Sequence, residues 1–71
     1  MTDIEILNLI RSILSVEAIS KEDSPDTIHE WDSFSQIVIL DELSRKTDVP
    51  VHPHELISFY TVDDLINKFT K

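Results

Sequence analysis

Asp32-Ser33-Phe34-Ser35-Gln36-Ile37-Val38-Ile39-Leu40-Asp41-Glu42-Leu43-Ser44-Arg45-Lys46-Thr47 decides how the chain is read. Its apolar residues recur at helical spacing and fall into two patches. Ile39, Leu40 and Leu43 share one side, with Gln36 and Thr47 beside them. Phe34, Ile37 and Val38 lie on a roughly opposite side, interleaved with Asp41, Ser44 and Arg45. Residues three and four apart are neighbours on a helix surface, so each patch is contiguous. A single core can cover only one of them. The patch mixed with charges is therefore expected to stay exposed. Asp32 is suited to cap this helix, because its carboxylate can accept N–H groups of the first turn. The spacing predicts a helix over 33–47.

The same pattern extends outward. Upstream, a helix is expected over 3–16. Thr2 and Glu5 have the spacing of a capping box, in which each side chain satisfies the other's backbone N–H. Ile6, Leu7, Leu9, Ile10, Ile13 and Leu14 share one broad arc, with Glu5, Asn8, Ser12 and Ser15 opposite. Residues 17–31 read as a long polar connection with Ile28 and Trp31 as its anchors in the core. A loop this long in so small a domain points to function. Downstream, Pro50 and Pro53 break the pattern, and a short helical turn is expected near 54–58. A last helix is expected over 62–70, opened by Thr61 and Asp64. Val62, Leu65, Ile66 and Phe69 supply its buried stripe. Glycine is absent, and with it the Asn-Gly and Asp-Gly hairpin signals. The expected fold is all-α: one small bundle over residues 1–71, with three main helices and one short one.

A chain of 71 residues supports one domain. At this size about 60% of the unfolded surface is buried, which leaves a thin core and little room for an enclosed catalytic cleft. Fourteen acidic residues face six basic ones, a formal charge of -8. Phosphate backbones need a basic face, so nucleic acid is not the expected partner. An anionic membrane surface is disfavoured for the same reason. Basic protein surfaces are the natural counterpart. There is no cysteine, so no thiol chemistry comes from the chain itself. No apolar run approaches a membrane span, and the N-terminus lacks the pattern of a secretory signal. The expectation is a cytoplasmic monomer.

Several constellations carry less weight. His52 and His54 form a His-x-His pair, with His29 far off in sequence, but no supporting ligand set accompanies them, so no metal is expected. Asp63-Asp64 and Asp41-Glu42 lack the pattern of a calcium loop. Ser33 with His29 imitates a nucleophile and base, but nothing forms an oxyanion site, so the chain is not expected to be an enzyme.

Trp31-Asp32-Ser33-Phe34 stands at the loop-to-helix junction. Asp-Ser-Phe before an apolar helix resembles the Asp-Ser-Leu signature of acyl carrier proteins and peptidyl carrier domains. The resemblance covers nearly the whole chain: a first helix, a long loop, Asp-Ser at the second helix, a short third helix, and a final helix opened by Thr61-Val62. It implies a carrier that holds acyl or aminoacyl groups as thioesters on a 4'-phosphopantetheine arm esterified to Ser33, with Asp32 as the motif neighbour. The arm would supply the thiol that the chain lacks. The implied partners are a phosphopantetheinyl transferase and the enzymes that load, modify or unload the arm. They would dock on Phe34, Ile37, Val38 and Asp41, with Val51 extending that face from the next loop. Two departures stand out. His29, Glu30 and Trp31 occupy the stretch where the family often has a glycine, and Trp31 is expected to supply packing instead. Ser44, Arg45 and Lys46 interrupt the acidic face typical of fatty-acid carriers, which points toward a specialised biosynthetic pathway. An unmodified helical interaction module using the same apolar patch is the alternative.

Overall fold

The computed structural model describes residues 1–58 and 60–70. Its elements are α1 (Asp3–Leu14), α2 (Ser33–Thr47), a short 3₁₀ helix (Pro53–Ile57) and α3 (Val62–Phe69). No strand occurs among the described residues, and the fold is a small helical bundle. α1 and α3 pack on each other and on α2, while the 3₁₀ helix packs on α2.

The helix starts follow from capping. Thr2 Oγ1 accepts the Glu5 N–H at 3.2 Å, and Glu5 Oε1 accepts the Thr2 N–H at 2.8 Å. The same reciprocal pair joins Thr61 and Asp64 at 3.1 and 3.0 Å. Asp32 Oδ1 accepts the Ser35 N–H at 2.8 Å and opens α2. A one-sided version, which the sequence reading did not pick out, opens the 3₁₀ helix: Glu55 Oε1 accepts the His52 N–H at 2.8 Å, while the Glu55 N–H donates to the His52 carbonyl at 2.9 Å.

The ends differ slightly from expectation. α1 stops at Leu14, because Ser15 takes a left-handed conformation with φ 58. Asp48 ends α2 in the same way, with φ 59. This region is normally glycine's, so a chain without glycine places Ser and Asp there against a steric preference. α3 ends at Phe69, one residue before its expected end. The expected turn near 54–58 is a 3₁₀ helix starting at Pro53, whose fixed φ and missing N–H suit a first helical position.

The core follows the periodic stripes. Ile6, Ile10 and Leu14 of α1, Ile39, Leu40 and Leu43 of α2, and Val62, Leu65, Ile66 and Phe69 of α3 are all buried. The arc on α1 is narrower than expected. Leu7, Leu9 and Ile13 only flank the core half-buried, because α2 and α3 cover one side of that helix. Trp31 completes the core from the connection, and Ile28 packs beside it.

The connection between α1 and α2 is hydrogen-bonded from Ser20 onward. Asp23 accepts from the Ser20 N–H at 2.8 Å and from the Thr27 hydroxyl at 2.9 Å. Buried Ser24 donates its N–H to Thr27 Oγ1 at 2.9 Å, and its carbonyl accepts the Ile28 N–H. The carbonyls of Asp23 and Lys21 accept the N–H groups of Val62 and Asp63 at 2.9 and 3.0 Å. So the connection satisfies donors that the first turn of α3 would otherwise leave free. It also fixes where the chain enters α2.

Candidate functional site

Ser33 is the first residue of α2 and is exposed. The backbone around it is held from both sides. Upstream, the Trp31 N–H donates to the Ile28 carbonyl at 3.1 Å, and the indole is buried in the core. Downstream, the Asp32 carboxylate takes the Ser35 N–H, while the Ser35 hydroxyl donates to the Glu30 carbonyl at 3.1 Å. The Gln36 N–H donates to the Asp32 carbonyl at 3.0 Å. Ser33 therefore projects from a fixed junction and not from a loose loop.

The hydrogen bond from Ser35 lowers the Asp32 carboxyl below its ordinary value, so Asp32 stays ionised beside Ser33 at neutral pH. Helix geometry leaves the first N–H groups of α2 without intrahelical acceptors, and the helix dipole adds positive character there. Exposure and that polarity suit a serine that accepts an anionic substituent.

Beside Ser33 lies an open cleft of about 400 Å³ between the connection, α2 and the 3₁₀ helix. Trp31, Asp32, Ser33 and Ile37 form one side, and Leu56, Ile57 and Ser58 the other. Gln36 spans it. Its amide nitrogen donates to the carbonyls of Leu56 at 2.9 Å and Ser58 at 2.6 Å, and the residue is only 7% exposed. A second cleft of about 360 Å³ lies one turn further along α2. There Ile37, Val38 and Asp41 meet Val51 and Leu56.

The structure thus brings Ile37, Val38, Asp41 and Val51 together. Phe34 lines neither cleft. It stands 74% exposed on the turn before Ile37 and Val38. Asp41 is not a free acid. Arg45 bridges it at 3.2 Å and also pairs with Glu42, so one positive charge offsets part of the two negative charges on this face.

Two contributors were missed by the sequence reading. Leu56 lines both clefts, and Ile57 is 87% exposed at the rim of the first. Their signal was the apolar pair directly after Pro53-His54-Glu55. The bridging role of Gln36 was also missed, although its place in the apolar row of α2 marks an amide that needs buried partners.

Elsewhere the histidines stay on the surface. The His52 and His54 rings stack with centroids 5.9 Å apart, and His29 is exposed in the connection. No three His, Cys, Asp or Glu residues gather as metal ligands among the described residues. No described helix is long and apolar enough to cross a membrane. Compared with known proteins, the chain matches no family model, no curated protein and no solved structure.

Proposed function

We propose that this protein is a carrier modified at Ser33 by 4'-phosphopantetheine, and that it is not itself an enzyme. The observation that carries the reading is an exposed serine fixed at the first position of α2, flanked by its Asp32 cap and an apolar face that the core does not use. The Asp-Ser-Phe motif and the helix order support it independently.

In the attachment step, Ser33 Oγ attacks the phosphorus of coenzyme A that bears the pantetheine. The new P–O bond forms as the pyrophosphate bond breaks. Adenosine 3',5'-bisphosphate leaves, and the hydroxyl proton passes to a base on the transferase. Asp32 holds the junction that presents the exposed Ser33, and the first-turn N–H groups of α2 would favour the negative charge of the phosphodiester. When attached, the arm supplies a thiol for holding acyl or aminoacyl groups as thioesters. Phe34, Ile37, Val38, Asp41 and Val51 form the face on which the transferase and the loading, modifying and acyl-transfer enzymes dock. The protein acts as a cytoplasmic monomer in a specialised biosynthetic pathway.

Incubation with coenzyme A and a broad-specificity phosphopantetheinyl transferase is expected to add one arm to the intact mass. Ser33→Ala is expected to abolish the gain. An unchanged mass with several such transferases sinks the proposal. The exposed face also supports a second reading, an unmodified interaction module. Under that reading Ser33→Ala leaves partner binding intact and no arm is needed.

A further inference from the structure

A long alkyl chain tethered near this surface would seek burial, because each methylene left in water is unfavourable. Its nearest way into the molecule from Ser33 is the cleft between α2 and the 3₁₀ helix. That way is closed by Gln36. Its side-chain amide bridges the carbonyls of Leu56 and Ser58 and so ties the two walls together. Directly inward, three and four residues along the same helix face, stand Ile39 and Leu40, both fully buried.

Admitting an alkyl chain would have to break both hydrogen bonds. It would leave the buried amide and two carbonyls facing methylenes, an uncompensated polar burial. A serine-linked cargo that needs apolar shelter is therefore poorly served. The first cleft is open and mixes polar Asp32, Ser33, Gln36 and Ser58 with apolar Trp31, Ile37, Leu56 and Ile57, so it covers a chain lying in it from one side only.

Resting on the carrier reading, we infer that Gln36 is a specificity-determining residue. It bars cargo from the helical core, so the carried group is a short, polar acyl unit that stays at the surface. Polar substituents on such a unit keep their hydration there and gain nothing from the core.

The test loads the protein through the transferase with three coenzyme A derivatives: the free thiol, an alanyl thioester and a dodecanoyl thioester. Intact mass reports loading. Thermal midpoints and backbone amide shifts report shelter. The three loaded forms are expected to melt together, with no dodecanoyl-dependent shifts at Ile39, Leu40 or Leu65. A dodecanoyl form that melts roughly 4 °C or more above the free-thiol form, a shift on the order of 1 kcal/mol for a domain this size, overturns the inference alone. No mass gain with any derivative overturns the carrier reading and this inference with it. Gln36→Ala opens the bridge, and its dodecanoyl form is expected to gain thermal stability over its own free-thiol form. Absence of that gain overturns the assignment to Gln36.

Discussion

The two faces of α2 carry similar residues and have opposite fates. Ile39, Leu40 and Leu43 are wholly buried, while Phe34 and Ile37 are exposed and Val38 is half-buried. Hydrophobicity does not separate these sets. What separates them is the company each keeps. The buried row meets the stripes of α1 and α3, and its buried polar member, Gln36, finds two carbonyl partners. The exposed row is interleaved with Asp41 and Arg45, which need water or each other. Burying that row would mean desolvating the ion pair. So α2 turns its charged row outward and leaves apolar surface available for a partner.

The largest expected contrast comes from truncating one residue on each face. Leu40→Ala removes a fully buried side chain, and the cavity plus lost transfer energy should lower unfolding stability by about 2–5 kcal/mol. Phe34→Ala should change it by only about 0.5 kcal/mol, while slowing transferase-dependent modification of Ser33. Chemical denaturation of both variants with parallel modification rates checks this. Similar losses of stability would show that the outer face is part of the core after all.

A smaller effect is expected at the junction between the faces. Asp32→Ala removes the acceptor of the Ser35 N–H and should cost about 1 kcal/mol. Asp32→Asn keeps a capping oxygen and should restore most of that stability. If modification of Ser33 falls with Asp32→Asn while stability recovers, the carboxylate charge itself helps the transferase.

The smallest effect concerns the wall facing α2. The His52 N–H and the Lys68 ammonium hold the Glu55 carboxyl at about 2, down from 4.5. Because the folded value is lowered, this group's contribution is complete above pH 4.5. It is lost as the pH falls toward 2. Glu55→Gln should flatten that part of the dependence of melting temperature on pH and leave the profile near neutrality parallel to the original. An unchanged acid limb would show that Glu55 does not fasten the 3₁₀ helix.

Much of this architecture is legible in the residues. The capping pairs Thr2–Glu5 and Thr61–Asp64 and the stripe on α3 are local features, set within a few positions of the chain, and they appear where the spacing puts them. The bounds of α2 follow for the same reason, from Asp32 at one end and the loss of periodicity at the other. The end of α1 was less legible. Val16 continues the apolar pattern, yet Ser15 turns left-handed first, and nothing in its side chain announces that. The arc on α1 was also overestimated, because periodicity gives the direction of a face but not how far neighbouring helices extend over it.

The candidate site divides along the same line. The sequence by itself determined Ser33 at a helix start, its Asp32 cap and two apolar rows on one helix, because these depend on 3.6-residue periodicity and short-range hydrogen bonds. Only the tertiary structure decided that Gln36 bridges α2 to carbonyls twenty and twenty-two residues away. It alone set Leu56 between the two clefts. Contacts across such separations depend on how the helices pack, and packing is a property of the whole fold and not of any one segment.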